Sequence, residues 1–256
     1  MKTLSSISAM LLLAGTMAQS QAVVVANWSL SNDASGYTGG SAGVGQAIDS
    51  VGGNNFGIAN GPFISGGSVG GPSTSSTYLT GSTQFLYSTG AFTGPLVTLT
   101  DNFSITLYAS IADLTNVGTL LTTAGGTPGG LQIGTDGSGN WVATIGSSAA
   151  GTPVGSVPAA SGANAKIVFQ RQGGVYSFSV NGVDGSTYAS APAFQGFVPG
   201  NGFFFGTSPG AAQSYKGYVS DITIATGPIP EPTTMALLLG VFGALSVLRR
   251  VRRKTA

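Results

Sequence analysis

Histidine and cysteine are both absent from the 256 residues, and the acidic side chains number eight. Without an imidazole, neither a Ser-His-Asp relay nor a histidine-based metal centre can be assembled. One acid is a glutamate, Glu231, and the others are Asp33, Asp49, Asp101, Asp113, Asp136, Asp184 and Asp221. Glycoside hydrolysis would need two carboxylates facing one bond, about 5 Å apart for retention. Isolated aspartates beside glycine are turn formers more often than acid–base pairs. The run Asp136-Gly-Ser-Gly-Asn140 has part of a calcium-loop spacing. It offers one carboxylate and no terminal bidentate glutamate, so it is expected to be a hairpin turn. Catalysis is therefore not expected of this chain.

Binding is left to aromatic side chains. Tyr108 falls on the polar side of an alternating segment, where an exposed ring could stack on a sugar face, and Tyr37 and Tyr87 are placed in loops with the same potential. Trp28, Trp141, Phe169 and Phe178 sit at core parity and are expected to pack inside. Between residues 23 and 227 the cations Lys166, Arg171 and Lys216 face seven aspartates. A mildly acidic domain without a basic stripe lacks the electrostatic footprint of a nucleic-acid binder.

The elements that must position these rings read as strands. Phe103, Ile105, Leu107 and Ala109 alternate with Ser104, Thr106, Tyr108 and Ser110. That is the two-residue period of a half-buried strand. Tyr176, Phe178 and Val180 keep the same beat, as do Trp141, Ala143 and Ile145, and Ala26, Trp28 and Leu30. Tyr218, Ile222 and Ile224 share one parity and are expected on one face. Asp136-Gly137, Gly173-Gly174 and Asn181-Gly182 supply hairpin turns between such runs. No sustained 3.6-residue period interrupts them. Short strands joined by glycine turns over about 200 residues indicate an all-β sandwich or jelly roll, and at this length a core can form without disulfides.

The order of the segments resembles the laminin-G-like, concanavalin A-like jelly roll. The matching pieces are Val25-Ala-Asn-Trp28-Ser-Leu30, the loop Asp49 to Pro62, the strand Asn102 to Tyr108, the hairpin Lys166 to Val183, and the closing Phe204-Phe-Gly206 and Gly217 to Ile224. The resemblance implies a β-sandwich over residues 23–227. It also implies possible calcium, held near one rim through an aspartate and backbone carbonyls, with Asp49 and Asp221 as candidates. The Glu-x-Asp-x-x-Glu strand of glucanases sharing the fold does not occur. Tyr108 stands where the family carries a tryptophan, and Gly61–Tyr78, rich in glycine and serine, has no counterpart and is expected to be a long surface loop.

Both ends carry sorting information. Lys2, the apolar Ile7–Ala14 and Ser20-Gln21-Ala22 make residues 1–22 an expected secretory signal peptide. Residues 228–256 contain Pro230-Glu231-Pro232, an apolar stretch over 233–248, and Arg249, Arg250, Arg252, Arg253 and Lys254. Sixteen apolar-range residues span roughly 24 Å as a helix, short of the ~30 Å hydrocarbon core. The terminal cations act as a stop-transfer signal that stays cytoplasmic. Together these features resemble the PEP-CTERM sorting signal, also described as the C-terminal domain of some ice-binding proteins. Ice binding itself would want regular Thr-x-Thr ladders, of which only Thr98-Leu-Thr100 and Thr106 give a hint.

The PEP-CTERM resemblance implies an exosortase-type membrane protease as partner. It also implies export through the inner membrane of a Gram-negative bacterium, a transient transmembrane anchor, and release to the cell surface or extracellular matrix. Two roles follow as expectations: a non-catalytic jelly roll that binds exopolysaccharide or a protein, or a structural coat or biofilm component without a specific ligand.

Overall fold

The computed structural model describes residues 22–30, 46–59, 64–73, 75–81, 85–88, 92–99, 101–123, 130–146, 152–188, 194, 197, 204–207 and 213–227. In chain order its strands are β1 (Val23–Ser29), β2 (Gln46–Ala47), β3 (Phe56–Ala59), β4 (Ile64–Gly67), β5 (Ser75–Thr80) and β6 (Phe85–Ser88). A four-residue helix, α1 (Pro95–Thr98), precedes β7 (Phe103–Ile111), β8 (Val117–Thr122), β9 (Leu131–Asp136) and β10 (Asn140–Ile145). The order closes with β11 (Thr152–Pro158), β12 (Asn164–Gln172), β13 (Val175–Val180), β14 (Val183–Tyr188), β15 (Phe204–Phe205) and β16 (Lys216–Thr226).

Two antiparallel sheets result, as expected of a jelly roll. The first runs β14-β13-β12-β7-β16-β5-β4, with β1 also paired to β16; the second runs β11-β10-β9-β8-β15-β6-β3-β2. Alternation decides which side chains meet between them. Phe103, Ile105, Leu107 and Ala109 of β7 are fully buried, as are Ile167 and Phe169 of β12 and Ile222 and Ile224 of β16. Trp28 is sealed in the core, 4.7 Å from the Phe56 ring and 6.4 Å from Phe92. Trp141 stacks on Tyr215 at 6.0 Å. The core-parity expectation thus holds for both tryptophans, and Phe169 and Phe178 are likewise buried. Each large aromatic removed from water contributes about 1.5–3 kcal/mol, which suits a core built without cysteine.

Turn chemistry follows the sequence closely in two hairpins. Asn181 and Gly182 both adopt positive φ, 53° and 77°, the signature of a two-residue turn that matches strand twist. Between β9 and β10, Asp136 accepts the Ser138 and Asn140 amides at 2.7 and 3.1 Å and the Asn140 side chain at 2.8 Å. The carboxylate is occupied by its own turn, so the hairpin reading of this run is correct.

Three expectations need correction. Gly61–Tyr78 is not one long loop, because it contains β4 and most of β5, paired antiparallel from Ile64–Tyr78 to Gly67–Ser75. Tyr87 is not in a loop but in β6, opposite Gly57 and Phe204. Tyr218 does not share the inward face of Ile222 and Ile224, for a reason given below. Of the three threonines that hinted at a ladder, Thr98 ends α1, Thr106 is buried and Thr100 lies outside the described residues. Among the described residues no helix is long and apolar enough to cross a membrane. The signal peptide, Tyr37, Pro230-Glu231-Pro232, the 233–248 span and the basic cluster lie outside the described residues.

Candidate ligand-binding face

A break in the rhythm of β16 creates the site. Val219 and Ile222 both point into the core, although strict alternation would separate residues three apart. The pairing of β16 with β7 shifts register between Val219 and Ile222, so a β-bulge absorbs the extra residue. Tyr218 is thereby turned to the outer face of the first sheet. There it stands directly opposite Tyr78 of β5, with ring centroids 4.7 Å apart. On its other side Tyr218 pairs with Ser110 of β7, and Ser110 pairs with Asn164 of β12. A polar and aromatic row thus crosses four strands.

Beside this row lies an open pocket of about 210 Å³ lined by Ser68, Val69, Ser110, Gly162, Asn164 and Tyr218. Ser68 and Val69 belong to the segment Ser68–Ser73 between β4 and β5, which crosses the outer face as a strap. Gly70, at φ 86°, rests near Asn164, whose Cβ would lie 3.5 Å from a side chain placed there. Gly71 passes closer still. A Cβ on Gly71 would fall 2.5 Å from Asp221 Oδ2, 2.8 Å from Ser220 Oγ and 3.0 Å from the Tyr108 ring. Only glycine lets the backbone approach so near.

The strap is tied down at Asp221. Ser73 donates its amide to Oδ2 at 3.2 Å and its hydroxyl to Oδ1 at 2.6 Å, and its Oγ lies 2.8 Å from Ser29 Oγ. Asp221 is buried and sits where β16 changes partners on one edge, from β5 (Val219 opposite Thr77) to β1 (Asp221 opposite Ser29). Leu30 donates its amide to Ser220 O at that junction. Tyr108, in the same region, is half-buried rather than exposed. Burial pushes its phenol up, and the Asp221 carboxylate adds to the effect, so Tyr108 stays protonated. With Gly71 across its ring, Tyr108 is floor for the strap and not the open stacking platform expected from the sequence.

Asp49 is differently occupied. Its Oδ1 accepts the Asn27 and Val51 amides at 2.9 and 3.0 Å, and its Oδ2 accepts the amide and side-chain nitrogens of Asn54, each at 3.2 Å. Four N–H donors fill the lone pairs of a carboxylate and leave none for calcium. Asp49 bridges Trp28 on one edge of β1, whereas Asp221 pairs with Ser29 across the other edge. The two candidates therefore do not converge, and the donor set around Asp49 does not fit a cation. Among the described residues no cluster of three or more histidines, cysteines or acids could hold a metal ion.

Sequence reasoning missed Tyr218, Tyr78, Asn164, Ser110 and Ser68 as site residues. One signal was present: two adjacent polar residues, Ser220-Asp221, between the apolar Val219 and Ile222 break a period of two.

No protein-family model matches the chain, and no curated protein matches it by sequence. Solved structures do. The botulinum neurotoxin serotype D binding domain is similar at a TM-score of 0.55 and 11% identity, covering 84% of this chain and 51% of that one. The binding domain of botulinum neurotoxin DC in complex with SialylT gives a TM-score of 0.52 and 12% identity over 85% of this chain and 51% of that one. Trypanosoma rangeli sialidase, in complex with the inhibitor DANA, gives 0.52 and 16% over 81% of this chain and 31% of that one. The chain thus matches about half of the toxin binding domains and about a third of the sialidase chain. At these identities the likeness carries the fold alone, an antiparallel β-sandwich of the jelly-roll kind.

Proposed function

We propose that this protein is an exported, non-catalytic surface or matrix component whose jelly roll binds a polysaccharide on the outer face of its first sheet. The observation that carries the reading is the row Asn164–Ser110–Tyr218–Tyr78 beside an open pocket. An aromatic ring with amide and hydroxyl groups around it offers both surfaces of a sugar a partner: C–H faces for Tyr218, hydroxyls for Asn164 and Ser110. The pocket is smaller than the roughly 300–1,000 Å³ of drug-sized sites, which suits one sugar ring of a longer chain. The structural neighbours include a toxin binding domain in complex with SialylT and a sialidase with its inhibitor, so the scaffold is compatible with sugar binding.

A glycan array tests this reading. The wild-type chain is expected to retain a discrete set of glycans, and Tyr218→Ala to lose them without loss of fold. Uniformly blank spots for the wild type would favour the structural-coat role instead.

Export and sorting belong to the same proposal and rest on the sequence. Residues 1–22 direct secretion, and an exosortase-type protease cuts at Pro230-Glu231-Pro232, releasing the protein from its anchor at 233–248. Prolines flanking Glu231 favour an extended backbone, which gives a protease a strand-like handle. Glu231→Ala is expected to accumulate uncut protein in the membrane. Mass spectrometry showing an intact Ala256 on the native surface protein would reject the sorting step.

A further inference from the structure

We infer that Asp221 is a positioning residue for the pocket: by clamping Ser73 it holds the strap Ser68–Ser73 as the pocket wall, and so sets how long a bound sugar stays. The inference rests on the polysaccharide reading for its ligand, but the clamp itself is a property of the strap and can be measured without one.

Ser68 and Val69 line the pocket at one end of the strap, and Ser73 is fixed to Asp221 at the other. Between them Gly70 and Gly71 have no side chains with which to hold the face. Gly71 lies within contact of Asp221, Ser220 and Tyr108, yet it contributes only backbone, so besides the buried Val69 the strap is held from Ser73, on Asp221 and on Ser29 Oγ. The Ser220 hydroxyl beneath it is buried and makes no hydrogen bond, so it supplies no second tether. Ser68 Oγ donates to Ser73 O at 3.2 Å and accepts the Gly70 amide at 3.3 Å. The end that meets the pocket is therefore braced on the end that Asp221 holds. A carboxylate is the right group for this task because it accepts both Ser73 donors, and hydrogen bonds to a charged acceptor are the stronger kind. An amide in its place offers one acceptor oxygen and turns an N–H toward a Ser73 donor.

The test combines hydrogen exchange with glycan titration on the full-length chain, comparing wild type, Asp221→Asn, Ser73→Ala and the double variant. Exchange of the strap amides should rise about tenfold in Asp221→Asn, with β7 and β12 amides unchanged. Affinity for any glycan bound by the wild type should fall by about tenfold, mostly through faster dissociation. Ser73→Ala should show a smaller version of both effects, and the double variant should be no worse than Asp221→Asn, because both changes break one clamp. Ser73→Ala lies on the strap and leaves β16 intact, so it decides the matter if Asp221→Asn fails to fold. Unchanged strap exchange in Ser73→Ala and in any folded Asp221→Asn overturns the clamp. Faster strap exchange with unchanged glycan affinity overturns its role in the pocket. A wild type that binds no glycan rejects the polysaccharide reading and with it the clamp's role there, while the exchange data still decide whether Asp221 holds the strap.

Discussion

Two buried aspartates flank β1, and each lies against a glycine that could not carry a side chain. At Gly52 an added Cβ would come 2.7 Å from Asp49 Oδ2; at Gly71 it would come 2.5 Å from Asp221 Oδ2. Their surroundings then diverge. Asp49 accepts four N–H groups from three residues, and the loop it organises also takes the Trp28 indole N–H on Asn54 O at 2.7 Å. That loop is bolted to the core. Asp221 accepts two groups, both from Ser73, and what it organises faces solvent beside a pocket. The same residue type in the same kind of glycine-lined niche serves the core-side loop in one place and a strap beside the pocket in the other. Donor count and the identity of what is held separate the two.

The comparison is most directly broken at Asp49. Asp49→Ala should strand the buried Asn54 amide and side-chain donor, with the part-buried Asn27 and Val51 amides free to turn to water, and cost about 2–4 kcal/mol, since each buried unsatisfied donor costs ~1–3 kcal/mol. Urea denaturation should show a large fall in midpoint at constant slope. A fall under about 1 kcal/mol would mean that the loop is not structural. A smaller effect is expected at the strap. Gly71→Ala should cost about 1–3 kcal/mol if the strap stays seated, and less if it lifts away. Either way it should impair glycan retention, whereas Asp49→Ala should act on binding only through loss of fold. A Gly71→Ala protein with wild-type binding would show that the strap's seat is irrelevant to the pocket.

The smallest effect serves as a control far from both niches. Burial alone would raise the Asp136 carboxyl, but hydrogen bonds from Asn140 and Ser138 outweigh it and hold the group below its ordinary value. Its contribution is therefore present above the unfolded value of about 3.9 and is lost as pH falls through the lower folded value. Asp136→Asn should be less stable than wild type at neutral pH by under about 1 kcal/mol, given its exposure to solvent. The gap should close in acid, below about pH 4. Parallel stability curves for the two proteins down to pH 2 would contradict this account.

What could be read in the sequence depended on how local its cause was. The β7 strand and the Asn181-Gly182 and Asp136-Gly137 turns are written within a few residues, and each formed. Yet β7 is not half-buried as its alternation suggested, since Ser104, Thr106 and Ser110 on its polar side are buried as well. The binding face was not legible for two reasons. The bulge at Ser220-Asp221 inverts the facing of everything before it, so Tyr218, counted inward with Ile222 and Ile224, points outward. Glycines 66, 67, 70 and 71 suggested a loop because glycine disfavours strands. Yet Gly66 and Gly67 pair in β4, and Gly71 is required by the close approach of distant Asp221 and Tyr108. A requirement set by residues 37 and 150 positions away leaves no trace in a local window.

The place of β16 in the first sheet also has a consequence for when the protein can fold. It is the last strand among the described residues, yet it lies between β7 on one side and β5 and β1 on the other. Val23 near the start pairs with Thr226 near the end. A chain emerging from the ribosome therefore reaches its final strand before this sheet can join, and every earlier portion lacks its central partner. Such non-local pairing slows folding, because the loop-closure cost precedes the reward. For a protein proposed to cross a membrane, this means that the first sheet cannot be completed until residue 226 has been made.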